Sequence, residues 1–328
     1  MSDPEQSPRP APSSRIKKWL QRVFKSGALG TELARLINKS ALVSTVRWII
    51  DLCFRRRRKI RLVAYPSVGT PEEQEILEHL QHHGWARVPD GIGADMRQEI
   101  RSECAALQRA YQKLDVREKS RHKTIWNYLT DIKYAGNKPD ENDPLVRYAL
   151  SPPILNVVGN YLGETPWLRY IILTESVFQP GEVMYSQKWH LDFDDARMLK
   201  LFVYLSDVSS PEDGPFRVIG RQASMHVRNS FIRRHLADDE VFAYVDNKDV
   251  IDMYGPSLSS FVVDTAHVYH CGSRMAPSHS RLLYTALYTA FPSIYPRQMV
   301  DSFSVGVTAP ALVRKVLAPV AYVRNVAE

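Results

Sequence analysis

Five residues in the second half of the chain have the types and spacing for metal chemistry. They are His190 and Asp192 in Trp189-His190-Leu191-Asp192-Phe193, His270 in His270-Cys271-Gly272, and the cations Arg281 and Lys200. A histidine and an aspartate at i and i+2 on an extended strand point to the same face. With a second histidine from elsewhere, two imidazoles and one carboxylate hold one side of an octahedral metal. Positions then stay open for a cosubstrate and dioxygen, the arrangement of non-haem Fe(II) oxygenases. His-x-Asp alone is a weak sign, because 10 histidines and 36 acidic residues make roughly one such triplet expected by chance.

The surroundings strengthen it. The triplet sits on a predicted strand beside Trp189 and Phe193, and an interior site needs ligands on a rigid element inside an apolar shell. Asp264-Thr265-Ala266-His267-Val268-Tyr269-His270-Cys271-Gly272 ends a later strand and supplies a histidine in a turn. Arg281 comes eleven positions after His270 and opens the next strand, where a guanidinium can hold a carboxylate through paired hydrogen bonds. Some choices stay open at this level. His267 is an alternative to His270, and Asp194 or Asp195 to Asp192. Asp194 shares the strand face one step too far along, while Asp195 points the other way. Lys200 is an alternative carboxylate anchor or a solvent-facing strand lysine.

Positioning such a site takes strands, and the chain supplies them after a helical first half. Thr70-Pro71-Glu72-Glu73 carries an N-cap, a proline at N1 and a capping-box glutamate, and Gly84 closes that helix. Trp85–Pro89 reads as a short strand. Met96, Ile100, Cys104, Leu107, Tyr111 and Leu114 step at helical spacing, with Cys104 as a buried thiol on the apolar face. His79, His82 and His83 could look like a metal cluster, but His79 and His83 are i and i+4 with no third ligand nearby, and they read as surface histidines. Residues 115–143 are polar and turn-rich, and a helix runs from Pro153 to Leu162. Strands are then expected at 168–174, 189–193, 199–205, 216–219, 260–263 and 282–288, with a helical insert over 231–245 near the barrel mouth. Helices followed by many strands argue for an α+β fold with an antiparallel sandwich or barrel.

His190-x-Asp192, His270 and Arg281, with Tyr204-Leu205-Ser206-Asp207-Val208 and Asp213-Gly214-Pro215-Phe216 between them, resemble the phytanoyl-CoA dioxygenase family. The resemblance covers about residues 75–295. It implies a double-stranded β-helix (jelly-roll, cupin-like) core with flanking N-terminal helices. It also implies that His190, Asp192 and His270 ligate Fe(II) and that Arg281 binds the distal carboxylate of 2-oxoglutarate. The implied activity is hydroxylation or desaturation of a small organic or lipid-like substrate with O2, releasing succinate and CO2. The family includes halogenases that lack the carboxylate ligand, and Asp192 is present here. The chain departs from the pattern at Gly220-Arg221-Gln222-Ala223-Ser224, where many relatives carry a proline and Gly-Ser-His.

Charge is unevenly spread. The net charge is +7, yet residues 1–60 hold 14 Lys/Arg against 4 Asp/Glu, so this segment carries +10 and the remaining 268 residues carry −3. Residues 1–14, rich in proline and serine, read as a disordered tail. Residues 15–65 read as a basic helical arm ending in Arg55-Arg56-Arg57-Arg58-Lys59, either packed on the body or in peripheral contact with an anionic membrane. Residues 66–300 form the oxygenase domain and 301–328 a C-terminal extension. The arm lacks the interleaved aromatics of a nucleic-acid module. Three cysteines without pattern, and no signal sequence, suit a reducing, cytoplasmic setting. Arg228, Arg233 and Arg234 are either an anion-binding group or a charged helix surface. Two other functions compete: a zinc hydrolase using the same His/Asp/His ligands, and a non-catalytic membrane-associated binding protein on the same scaffold.

Overall fold

A computed structural model describes residues 69–114, 125–229, 235–293 and 300–322, together with Ile49 and Leu52. The disordered tail, almost all of the basic arm and Arg233 and Arg234 lie outside the described residues.

The first helix, α1 (Pro71–His83), begins as the residues dictate. The Glu73 amide donates to Thr70 Oγ1 at 3.2 Å, and Gly84 closes the helix with φ at 79°. The Glu73 carboxylate reaches one residue further back than a standard capping box, accepting from the Gly69 amide. Strand β1 (Trp85–Val88) and the amphipathic α2 (Ala94–Gln112) follow. The polar stretch expected to be turns instead holds strand β2 (Trp126–Tyr128) and helix α3 (Leu129–Tyr134). Helix α4 (Pro144–Ala149) is capped by Asp143. Helix α5 (Pro152–Leu162) runs from a proline at its first turn to Gly163.

Strands then dominate: β3 (Trp167–Val177), β4 (Trp189–His190), β5 (Met198–Tyr204) and β6 (Phe216–Ile219). Helix α6 (Arg221–Ser224), strand β7 (His235–Leu236) and helix α7 (Asp238–Phe242) come next. Among the described residues of the insert expected over 231–245, helix is found only in α7, with the edge strand β7 ahead of it. The chain continues through β8 (Val250–Met253), β9 (Ser260–Val263), β10 (His270–Cys271) and β11 (Ser280–Thr289) to helix α8 (Ala311–Leu317).

Two antiparallel sheets result, ordered β1-β9-β5-β11-β3-β2 and β7-β4-β10-β6-β8. From β3 to β6 the chain alternates between the sheets at every strand, and it does so again from β8 to β11. That is the jelly-roll, the double-stranded β-helix. The fold is α+β, as the order of elements implies.

Alternation along the strands decides what each face does. Leu199, Leu201 and Val203 of β5 and Tyr284, Ala286 and Tyr288 of β11 join the main core beneath α1, α2, α4 and α5. Tyr284 and Tyr288 also donate their hydroxyls to Leu145 and Ala149 carbonyls, pinning α4. On the opposite face, Phe202 meets Phe216 of the second sheet with ring centroids 4.8 Å apart, and both meet Phe261. Helix α8 packs on β3, burying Val316 and Leu317. Cys104 and Cys271 are buried and unpaired. Burial pushes each thiol up to about 12, so both are inert neutral groups. Among the described residues no helix is long and apolar enough to cross a membrane.

Candidate metal centre

His190 and His270 face each other across paired strands, since β10 pairs with β4 at His270–His190. Their ring centroids lie 4.2 Å apart. Each ring has its Nδ1 committed to a backbone carbonyl two residues earlier, His190 to Lys188 at 2.8 Å and His270 to Val268 at 3.1 Å. Carbonyls only accept, so Nδ1 carries the proton in both rings and the Nε2 lone pair is free for a metal. Asp192 completes the set. Its oxygens lie 3.8 Å from His190 Nε2 and 3.5 Å from His270 Nε2. One ligand atom from each of the three residues falls within 4.8 Å of the others, the one such group among the described residues.

Asp192 reaches this place differently from the sequence expectation. Strand β4 stops at His190, so Asp192 is beyond the ladder rather than on an extended strand. Its amide instead donates to the Thr265 carbonyl at 2.8 Å. Beside it, Asp194 is 3.8 Å from the Lys200 ammonium. Asp195 is fully buried and accepts from the Arg197 amide. His267 stands apart, half exposed, with Nδ1 donating to the Asp264 carboxylate at 2.9 Å.

Lys200 is not a solvent-facing strand lysine. It is the one charged residue of β5, faces the space between the sheets, and donates to Asp192 Oδ2 at 2.6 Å. Burial works against both charges, but the pairing outweighs it. The Asp192 carboxyl is held well below its usual range by Lys200 and the imidazoles, and the Lys200 ammonium well above its own by Asp192. The His190 imidazole is lowered to about 3, first by burial and then by the neighbouring His270.

Arg281 lies at the other end of the same space. In β11 it is six residues from Leu287, the register partner of Lys200, or about 20 Å along the strand. The two cations therefore do not share one carboxylate. Arg281 is 2% exposed and donates to the Gly214 carbonyl and, at 2.9 Å, to Ser273 Oγ. Its Nε has no hydrogen-bond partner, and no carboxylate pairs with it among the described residues. Burial accordingly lowers its pKa. A buried guanidinium without a counter-ion is costly unless an anion arrives.

Between these ends is a cavity of about 260 Å³. Besides the five residues already placed, Trp126, Tyr128, Tyr170, Phe216 and Ser273 line it. Sequence reasoning missed this group. Only Trp126-Asn127-Tyr128 carried a sign, an aromatic pair at strand spacing inside a polar stretch. Ser273 is the hub of the Arg281 end: its hydroxyl meets Arg281, Trp126 Nε1 at 3.1 Å and Ser176 Oγ at 3.0 Å. Arg228 lies away from this cavity.

No protein family and no curated protein matches the chain by sequence. Solved structures are similar. EctD from S. alaskensis with bound Fe is 15% identical with a TM-score of 0.49, over 78% of this chain and 92% of that one. HygX from Streptomyces hygroscopicus with nickel and 2-oxoglutarate bound is 17% identical with a TM-score of 0.43, over 67% and 87%. The epimerase SnoN in complex with Fe3+, alpha ketoglutarate and nogalamycin RO is 16% identical with a TM-score of 0.46, over 75% and 90%.

Proposed function

We propose that the chain is an Fe(II)- and 2-oxoglutarate-dependent oxygenase of the phytanoyl-CoA dioxygenase type. It hydroxylates or desaturates a small organic or lipid-like substrate, with succinate and CO2 as coproducts. One observation carries the reading. Two tautomer-fixed imidazoles and a carboxylate converge in a cavity whose far end is a buried guanidinium with no counter-ion among the described residues.

The donor set fits a divalent iron. Nitrogen and oxygen ligands from three residues leave coordination positions open, whereas a closed structural zinc site takes four protein ligands. When bound, iron with 2-oxoglutarate supplies the activation of O2 that no side chain can provide. The chain's own groups do the rest. His190, Asp192 and His270 hold the metal. Arg281 holds the distal carboxylate of 2-oxoglutarate, and Ser273 fixes the guanidinium's direction. Phe216 stacks on the His270 ring at 5.3 Å, and together with Trp126, Tyr128 and Tyr170 keeps bulk water out. Because Asp192 is an available ligand, the expected chemistry is hydroxylation or desaturation rather than halogenation.

The test starts anaerobically. Fe(II) and 2-oxoglutarate added together should give a visible charge-transfer band. Admitting O2 should then release succinate, stimulated by the true substrate in a screen of lipids, CoA thioesters, amino acids and small natural products. Absence of 2-oxoglutarate binding, or full succinate release by Asp192→Ala, would sink the reading. Purified protein carrying zinc, with hydrolysis indifferent to Arg281→Met, would replace it with the hydrolase alternative.

A further inference from the structure

We infer that the short helix α6 clamps the loop 264–270 and through it positions the metal ligands. Arg221 and Ser224 are then positioning residues for the centre. This rests on the proposed function only in taking the centre to bind a metal.

One loop carries the backbone partners of two of the three ligands. The Thr265 carbonyl accepts from the Asp192 amide at 2.8 Å, and the Val268 carbonyl accepts from His270 Nδ1 at 3.1 Å. A shift of this loop moves the carboxylate and one imidazole together. Side chains grip it at both ends, beside the backbone bonds from the Asp264 amide to the Gly84 carbonyl at 2.8 Å and from the Ile219 amide to the Tyr269 carbonyl at 2.9 Å. At the start, the buried Asp264 carboxylate accepts from Arg221 Nη2 at 2.9 Å, from Tyr161 of α5 at 2.5 Å and from His267. Arg221 also donates to the Tyr161 hydroxyl, closing a three-membered cluster. At the other end, Ser224 Oγ accepts from the Tyr269 amide at 3.0 Å, one residue before His270, and donates to the Ile219 carbonyl at 2.8 Å.

Arg221 and Ser224 belong to the five residues where this chain departs from the phytanoyl-CoA dioxygenase pattern. The departure has a structural use here. Gly84 presses on the same loop from the end of α1: a Cβ there would lie 2.4 Å from Val268 Cγ1, so no side chain fits between them. Neither Arg221 nor Ser224 lines the cavity, so each acts on the centre only through the loop.

The experiment uses the full chain with Co(II) as the metal probe, read by its visible absorption. Arg221→Met and Ser224→Ala should each raise the Co(II) Kd about 3–10-fold, at or below the low end of what losing a direct outer partner of a ligand costs, because both act one step further out. Arg221→Lys should fall between wild type and Arg221→Met. Lys133→Met removes a half-buried ion pair to Glu103 and Asp143 elsewhere in the fold. It should lower the unfolding midpoint yet leave the Co(II) Kd within about twofold, as expected of distant sites. Hydrogen exchange of the Asp192 amide, whose own bond neither substitution touches, should quicken in Arg221→Met and Ser224→Ala without any metal. An unchanged Co(II) Kd in both variants overturns the clamp, as does a Kd that merely tracks the unfolding midpoint. Should wild type bind no Co(II), the proposed function fails, and the exchange rate at Asp192 alone decides the clamp: no change overturns it.

Discussion

A metal competes with the proton for an imidazole nitrogen, and the burial of His190 weakens that competition well below neutral pH. The unfolded imidazole titrates near 6.5 and the folded one near 3. Between those values the unfolded state binds the extra proton, so stability falls as pH falls, by up to about 1.4 kcal/mol per unit. The metal-free protein should lose urea resistance from about pH 6.5 downward, before carboxylates begin to protonate near pH 4. In His190→Asn the decline over that interval should flatten; an unaltered slope would mean the ring titrates normally. Arg281 supports a second expectation. Arg281→Lys keeps the charge but loses the fork, so the KM for 2-oxoglutarate should rise about tenfold or more while Co(II) affinity holds. Legibility also divides at this scale. His190, Asp192, His270 and Arg281 stood out by type and spacing. Lys200 stood out only as a lysine in an apolar strand, and nothing in its neighbours announced that it would meet Asp192.

Long elements were readable because their periodicity had room to repeat. The capped α1, the apolar stripe of α2 and the strands β3, β5 and β11 fall close to their expected places. The two-residue strands β4 and β10 carry the two histidines of the proposed centre, yet their placement is set by the partner strand and by loop bonds such as Asp192 to Thr265, not by local pattern. Strand β8 and helices α3 and α4 were missed because each is too short to show a period. The turn before β6 has a sharper signature. Gly214 has a φ of 58°, and a Cβ there would come within 2.1 Å of Met275 Cε and 3.0 Å of the Arg274 backbone. Its carbonyl is also a partner of Arg281. Gly214→Ala should therefore cost about 1–2 kcal/mol from the left-handed backbone alone, read as a lower unfolding midpoint. It should also weaken 2-oxoglutarate binding more than metal binding, measured by titration of each.

At the scale of the whole molecule, the jelly-roll puts both charged ends of the cavity on rigid strands and closes the space between two sheets. Composition and element order led to an antiparallel barrel. The alternation of strands between sheets came from the family resemblance, because pairing partners far apart in sequence leave no local trace. Under the proposed function, metal and cosubstrate bind only the folded chain and so must stabilise it. Ligand at a hundred times its Kd adds about 2.7 kcal/mol. The melting temperature should accordingly rise with Co(II), rise further with 2-oxoglutarate, and return to its starting value on chelation. A rise with 2-oxoglutarate that survives chelation would mean that Arg281 binds it without the metal.

The Ser273 hydroxyl can accept two hydrogen bonds and donate one. It accepts from Trp126 and Arg281, so its own proton goes to Ser176, and its capacity is spent. One saturated oxygen thereby joins an indole at the cavity wall to the guanidinium at its far end. An anion drawing on the guanidinium should polarise that oxygen and so the indole N–H, and the expected outcome is a change in Trp126 emission when 2-oxoglutarate is added. Its emission, isolated as the difference between wild type and Trp126→Phe, offers an optical titration needing neither label nor turnover.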